Sequence, residues 1–227
     1  MSARPTSTRS FAPFIPLFIL FSMKKPILVL LALVLGFSTV AQAQRRGRGG
    51  NDVSLGLKAG ASLTNLVGSN AQNLDNLFGF HAGVFANINL TSLFAFQPEL
   101  IYSQKGYKSP TVSDNNRRFH YIDVPLAFHV NTGGLFFEAG PQVGFLFAAN
   151  ANAGNVSVDV KNEYNTVDFG YLFGLGYQLK HGLGVGLRYN GGFTNIGTST
   201  TIGNVTYQNK ARNSAFQLYL TYSVNGR

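Results

Sequence analysis

The segment VDFGYLFGLGYQLK, residues 167–180, divides cleanly between two faces. Val167, Phe169, Tyr171, Phe173, Leu175, Tyr177 and Leu179 share one parity, while Asp168, Gly170, Leu172, Gly174, Gly176, Gln178 and Lys180 share the other. A period of two belongs to a β-strand, and this strand carries nearly all its bulk on one side. Residues 135–147 repeat the pattern, with Leu135, Phe137, Ala139, Val143, Phe145 and Phe147 opposed to Glu138, Gly140, Gln142 and Gly144. A face this aromatic and continuous is not a wetted surface; it needs a second sheet or lipid against it.

The glycines decide between those two. Gly56, Gly60, Gly79, Gly83, Gly140, Gly144, Gly170, Gly174, Gly176, Gly184, Gly186 and Gly192 lie on the less apolar parity, with Gly191 the exception among strand glycines. A soluble sandwich or ligand-binding barrel turns its large apolar side chains inward to build a core. Here the large groups share one face and the small or charged groups the other, as in a barrel whose apolar face meets lipid.

The charges obey the same rule. Lys58, Glu99, Asp123, Glu138, Asp168, Lys180 and Arg188 carry the glycine parity, as do His81 and His129. The sequence therefore predicts a salt-bridged, hydrated lumen plug of Lys58, Glu99, Asp123, Glu138, Asp168 and Arg188, structural in role and the lining of a pore if the lumen conducts. Counting from the short turns puts Lys58, Glu99, Asp123 and Arg188 near mid-depth and Glu138 somewhat nearer the turns. Arg118 and His120 fall on the outward parity, where the strand emerges from a long joint. Pro98, Pro125 and Pro141 each remove a ladder donor from a strand flanked on both sides, so local bulges are expected there.

Eight alternating segments cover the chain from residue 52: 52–62, 79–90, 93–104, 118–130, 135–148, 167–180, 183–193 and 213–224. Each is long enough to cross a hydrocarbon layer as a tilted strand, which takes about 9–11 residues. Thr91-Ser92, NTGG at 131–134 and His181-Gly182 are tight hairpins. The other joints, 63–78, 105–117, 149–166 and 194–212, are long, polar and mobile in expectation. The predicted fold class is all-β: an eight-stranded antiparallel up-and-down transmembrane β-barrel over residues 52–227, with short turns at one end and long loops at the other.

The N-terminal region reads as a leader. Residues 23–43 carry Lys24 and Lys25, an apolar stretch from Ile27 to Val40 and an Ala41-Gln42-Ala43 site, the parts of a secretory signal peptide. The apolar stretch is shorter than the roughly 20 residues a helical span needs, so the mature chain is expected to start at Gln44 after export through the Sec pathway. Met23 is the only methionine after Met1, and residues 1–22 read as a misassigned upstream start, with a long double-hydrophobic leader as the alternative. The formal charge of the whole chain is +9. Residues 1–43 hold Arg4, Arg9, Lys24 and Lys25 and no acids, so the remainder has 14 basic and 9 acidic residues, or +5. Three of those cations, Arg45, Arg46 and Arg48, lie in the Gly-rich tail 44–51, read as a flexible exit segment with weak attraction for anionic lipid or phosphate and not as a nucleic-acid site.

Little chemistry is encoded. The chain has no Cys, which excludes disulfides, thiol catalysis and Cys-ligated zinc. No G-x-S-x-G nucleophile motif occurs, GLGVG at 182–186 lacks dinucleotide spacing, and no His, Asp and Glu cluster has metal-ligand spacing. His81 and His129 read as members of the lumen network, and Asp75, Asp114, Asp159 and Glu163 as solvated loop charge. No cofactor and no metal are expected.

The ordered motifs LGLKAGASLTNL (55–66), GFHAGVFANI (79–88), FQPELIYSQKG (96–106), YIDVPLAF (121–128), FFEAGPQVGFL (136–146) and GLGVGLRYNGGFTNI (182–196) resemble the PorT-like outer-membrane β-barrel family of small exported proteins. The resemblance implies an outer-membrane location and an eight-stranded barrel, and says little of activity: most members have no assigned function, and the named ones are linked to secretion and gliding machinery. The chain departs from the pattern at its end, where YLTYSVNGR closes on Asn-Gly-Arg instead of an aromatic residue, with Tyr222 the nearest substitute. Three readings of function follow. The leading one is a non-enzymatic barrel in contact with outer-membrane lipid, presenting long extracellular loops to a protein partner or secretion-type complex. A narrow transport pore and a lipid-modifying enzyme are the alternatives.

Overall fold

A computed structural model describes residues 53–69, 71, 73–110, 115–198, 200–202, 205–207 and 210–224. The predicted upstream start, signal peptide and basic tail, the loop acid Asp114 and the terminal Asn-Gly-Arg lie outside the described residues. Eight long strands build the wall: β1 (Val53–Val67), β2 (Asp75–Asn89), β3 (Phe94–Lys108), β4 (Asn115–Thr132), β5 (Leu135–Ala153), β7 (Val167–Gln178), β8 (Leu183–Gly192) and β11 (Arg212–Ser223). A short β6 (Val156–Asp159) folds back on the end of β5, and β9 (Thr200–Ile202) pairs with β10 (Val205–Tyr207) as a separate two-stranded ribbon.

Neighbours in the wall are antiparallel, and the order β4-β3-β2-β1-β11-β8-β7-β5 returns to β4 through a β4–β5 ladder. First and last strands meet from Gly56↔Ser223 to Val67↔Arg212. The sheet is closed and has no edge to manage, which is what a β-structure needs in a medium that cannot satisfy free backbone groups. No described helix is long and apolar enough to cross a membrane; the strands are the crossing elements.

Burial alternates along every wall strand. On β4 the inward residues run Phe119, Tyr121, Asp123, Pro125, Ala127 and His129, and the outward ones Ile122, Val124, Leu126, Phe128 and Val130. The outward apolar face is open: Phe80, Phe128, Phe169, Phe173 and Phe216 are each half-exposed or more.

Three expectations need correcting. Four strands run four or five residues further toward the long joints than the alternation indicated: β1 reaches Val67, β2 starts at Asp75, β3 reaches Lys108 and β5 reaches Ala153. Polar side chains obscure a strand there, because above the hydrocarbon both faces are free to be polar. The prolines make no bulges. Pairing lapses briefly beside them, but Pro98↔Leu126 and Ile101↔Asp123 share one register, as do Pro125↔Gln142 and Phe128↔Ala139. The irregularities lie elsewhere, between Asn76 and His81 on β2 and at His120/Tyr121 between β4 and β5. Third, the inward face is not confined to small and charged groups, since Phe85, Phe119, Tyr121, Phe136, Leu146, Leu172 and Tyr219 are buried in the lumen. The many lumenal glycines make room for them: a Cβ on Gly186 would stand 2.4 Å from the Tyr219 ring, and one on Gly176 2.4 Å from Phe136.

At the short-turn end, Gly133 and Gly134 take positive φ values of 64° and 117°, which sets the tight β4–β5 hairpin where a side chain would strain the backbone. Lys180, expected in the lumen, is exposed in the β7–β8 turn. At the other end the joints are folded back: the Ile196 N–H donates to the Ala211 carbonyl at 2.8 Å, and the Val160 N–H to the Ala149 carbonyl at 2.9 Å.

Candidate functional site

Buried chemistry-bearing side chains converge in the lumen, which is built in two charged groups under an apolar cap. The first answers why a carboxylate stands in FQPELIYSQKG. Glu99 faces inward and is 1% exposed. Its Oε1 accepts from Lys58 Nζ at 2.6 Å, Gln97 Nε2 at 2.8 Å and Arg188 Nη2 at 2.8 Å, and its Oε2 accepts from Arg188 Nη1 at 2.9 Å. Arg188 also donates from Nε to Glu138 Oε1 at 2.8 Å, and from Nη2 to Glu138 Oε2. One guanidinium thus clamps two carboxylates, using the planar fork that lysine lacks.

The clamp has a second layer of support. Tyr219 donates its hydroxyl to Glu138 Oε1 at 2.8 Å, and its ring lies under Lys58 Nζ at 4.2 Å from the centroid. His129 stacks on Phe136 at 4.9 Å and brings Nε2 within 3.4 Å of Glu138 Oε2, close enough for electrostatic contact without a well-aligned hydrogen bond. Asn87 donates to Gln97 Oε1 at 2.9 Å, orienting the amide that serves Glu99.

The second group sits toward the long joints. Lys105 Nζ lies 2.9 Å from Asp123 Oδ1 and over the Tyr121 ring at 4.5 Å. Asp168 accepts from Thr194 Oγ1 and Asn213 Nδ2, each at 2.8 Å, and Asn213 also donates to the Tyr121 hydroxyl at 3.2 Å. Above this layer Leu66, Phe119, Tyr121, Leu146, Ala149, Val160, Ile196 and Ala211 form an apolar cluster across the mouth.

Of the six lumen residues expected from parity, the structure joins Lys58, Glu99, Glu138 and Arg188 directly. It sets Asp123 and Asp168 in the second group. Glu138 lies level with the mid-depth residues through Arg188, because strand tilt and stagger shift the depth of each residue relative to its distance from a turn. Lys105 was missed: the alternation places it in a loop, yet it is 3% exposed inside the wall. The inward parity continuing from Glu99 through Ile101 and Ser103 to Lys105 was the available signal. Tyr219, Gln97 and Asn213 were missed as well, since neutral groups on an inward face carry no charge signal.

Among the buried charges three are cations (Lys58, Lys105, Arg188) and four are anions (Glu99, Asp123, Glu138, Asp168), so the lumen is nearly self-neutralised. Two of its cavities measure about 20 Å³, beside Gln97, His129 and Tyr219, and about 10 Å³, beside Lys105 and Asp168. Each has room for about one water molecule. Ser62 Oγ lies 2.8 Å from His81 Nδ1, a nucleophile-and-base contact inside the lumen. His81 Nε2 has no hydrogen-bond partner among the described residues, so no carboxylate orients that histidine as a triad requires. Among the described residues no group of His, Asp and Glu is placed to hold a metal ion.

Among solved structures the chain is similar to Neisserial surface protein A (15% identity, 75% of this chain and 98% of that one, TM-score 0.49). It is also similar to Ail, the attachment invasion locus protein of Yersinia pestis (12% identity, 77% and 99%, TM-score 0.44), and to the outer membrane protein AlkL (12% identity, 78% and 93%, TM-score 0.40). No curated protein matches it. The family model described as an outer membrane protein beta-barrel domain matches residues 40–197, which takes in seven of the eight wall strands. A closed wall with its aromatic face outward, its charges folded into the lumen and this match along most of its length make the chain a member of the outer membrane protein beta-barrel domain family, located in the outer membrane.

Proposed function

We propose that this chain is a non-enzymatic anchor of the PorT-like kind, exported through the Sec pathway by residues 23–43, whose barrel holds its long joints outside the cell for binding or assembly with a partner complex. The observation that carries this reading is the filled lumen. A charged layer tied together by Arg188, a second by Asp123 and Asp168, and an apolar cap leave, between the inward-facing side chains of the described residues, three cavities of about 20 Å³ or less, each too small for a solute; the larger opening at Phe78, Phe137, Phe173 and Phe216 is lined mainly by outward-facing apolar groups. The interior of an eight-stranded barrel is just wide enough for side chains to fill, and here they fill it. A lumen so built serves stability, and recognition then falls to the surface beyond the membrane. Val156 and Val158 on the β6 hairpin support that role, being 62% and 54% exposed on an element that adds nothing to barrel closure.

The test uses the full chain in its own outer membrane. A photo-crosslinking residue at Val158 should give a discrete protein adduct, lost when 154–159 is replaced by a tight turn that leaves the heat-dependent gel shift of the folded barrel intact. Purified protein in planar bilayers should be silent. A steady conductance that changes on Arg188→Ala would replace this reading with the pore.

A further inference from the structure

The outward parity of β4 is apolar from Ile122 to Val130, then changes character. That stretch spans roughly 21 Å along the barrel axis at a rise of about 3.4 Å per residue and a tilt of about 40°, approaching the apolar band of about 25 Å that outer-membrane barrels present. The next outward residues toward the long joints are His120, about 5 Å beyond Ile122, and Arg118, about 10 Å beyond. Both therefore stand where headgroups begin.

Arg118 is held on the outside of the wall. Its Nη1 donates to Gln104 Oε1 at 2.9 Å and to the Phe78 carbonyl at 3.4 Å, the latter inside the stretch where β2 and β3 fall out of register. Both bonds come from one nitrogen, leaving the N–H groups of Nε and Nη2 without an acceptor among the described residues. Among the described residues no carboxylate pairs with it. Beneath it lies an aromatic shelf: Tyr102 hydrogen-bonds His120 Nδ1 at 2.8 Å and packs against Phe80 at 5.4 Å and Phe147 at 6.0 Å. With Tyr102 donating to Nδ1, the Nε2–H of His120 is a further donor. A positioned guanidinium fork with open donors, above a ring surface and at headgroup depth, matches a phosphate whose acyl chains run down the apolar wall.

We propose that Arg118 and His120, with Tyr102 and Gln104 orienting them, form a binding site for the phosphate group of a membrane lipid on the outer wall of β3 and β4. The site does not depend on what the loops bind. It takes a phosphate monoester or diester on a headgroup of net negative charge, which the zwitterionic phosphatidylcholine lacks, and the lipid's hydrocarbon covers Phe80 and Phe147.

The experiment places the full barrel in phosphatidylcholine nanodiscs doped with diphosphoryl lipid A or, separately, phosphatidylglycerol, and counts retained lipid by native mass spectrometry. Wild type should retain one doped lipid, and Arg118→Gln should weaken retention about tenfold or more, the usual loss for a charge-assisted bond. Arg118→Lys should fall between them, and millimolar inorganic phosphate should leave the lipid in place. The two dopants identify which phosphate is preferred. Equal retention by folded Arg118→Gln and wild type overturns the site, as does displacement by inorganic phosphate, which marks a nonspecific anion contact. If Arg118→Gln does not fold, solid-state NMR on wild type decides: a contact between Arg118 guanidinium nitrogen and lipid phosphorus supports the site, and its absence in both dopants overturns it.

Discussion

The middle of the lumen and its mouth fill the same cylinder by opposite means. In the middle, Arg188 holds Glu99 and Glu138 with Lys58, Tyr219 and Gln97 packed around them, so each charged group of the clamp is partnered. At the mouth, Leu66, Phe119, Leu146, Val160 and Ile196 exclude water with no charge at all. The difference teaches where cohesion comes from in a barrel that cannot use its outer face as a core. Directional bonds fix the register of strands far apart in sequence in the middle, and nonpolar burial seals the end that faces solvent.

The sharpest way to break this contrast is Arg188→Met. It strands the buried Glu138 carboxylate and leaves Glu99 with Lys58 and Gln97 alone, and removing one partner of such a network costs about 3–5 kcal/mol. Urea unfolding of the detergent-folded barrel should show a loss of this size, and adding Glu138→Gln, which leaves Glu99 paired with Lys58, should restore most of it. A single variant that unfolds like wild type would mean the carboxylates reach other donors and the clamp is not central.

Leu146→Ala tests the mouth. Leu146 is 1% exposed, and truncating a buried leucine costs about 2–5 kcal/mol depending on how far the cavity collapses. The cap is partly built from joints that can settle inward, so the lower half of that range is expected. Unlike the Arg188 loss, this one should respond little to salt; a strong salt dependence would show that the mouth is not sealed by apolar packing.

How much of this was legible in the sequence depends on the side chain. Glu99, Glu138 and Arg188 announced themselves because a charge on an otherwise apolar strand must face inward. Phe119 and Tyr121 did not: they sit inward among flanking residues whose outward positions, Arg118 and His120, are polar, so parity there points the wrong way unless the membrane boundary is known. The same boundary hid Lys105 and shortened the predicted β1, β3 and β5. The prolines misled for another reason. The neighbours of Pro98, Pro125 and Pro141 lie on adjacent strands, and the ladder tolerates their lost donors together by opening briefly at constant register.

A smaller effect sharpens the contrast from between its two poles. The Lys105–Asp123 pair is as buried as the Arg188 clamp but simpler, with one contact of 2.9 Å and an aromatic neighbour. Replacing both at once by Lys105→Met and Asp123→Leu removes charge without orphaning any, and exchanges of this kind are often near neutral, so a change under about 2 kcal/mol is expected. A larger loss in the same urea assay would assign the second layer a structural role equal to the first.

The smallest effect is expected where charge and apolar sealing meet, at the folded-back joint over the mouth. Arg117 Nη1 lies 2.6 Å from Glu163 Oε2, with the two side chains 32% and 57% exposed. Pairs so wetted contribute about 0–1 kcal/mol. The same joint is also held by the Tyr164 ring, edge-on to the buried Phe119 at 4.6 Å, and by the Thr198 hydroxyl donating to the Glu163 carbonyl, which a side-chain change does not remove. Burial pushes the Tyr164 phenol above its ordinary range, so it stays protonated and packed through any ordinary working pH. Glu163→Gln should therefore leave both the urea midpoint and the rate of proteolysis within 154–166 nearly unchanged, whereas Tyr164→Ala should speed that cleavage while barely moving the barrel's own transition. If Glu163→Gln opened the joint instead, the mouth would be latched by an ion pair, and the division between a charged middle and an apolar seal would have to be redrawn at Arg117.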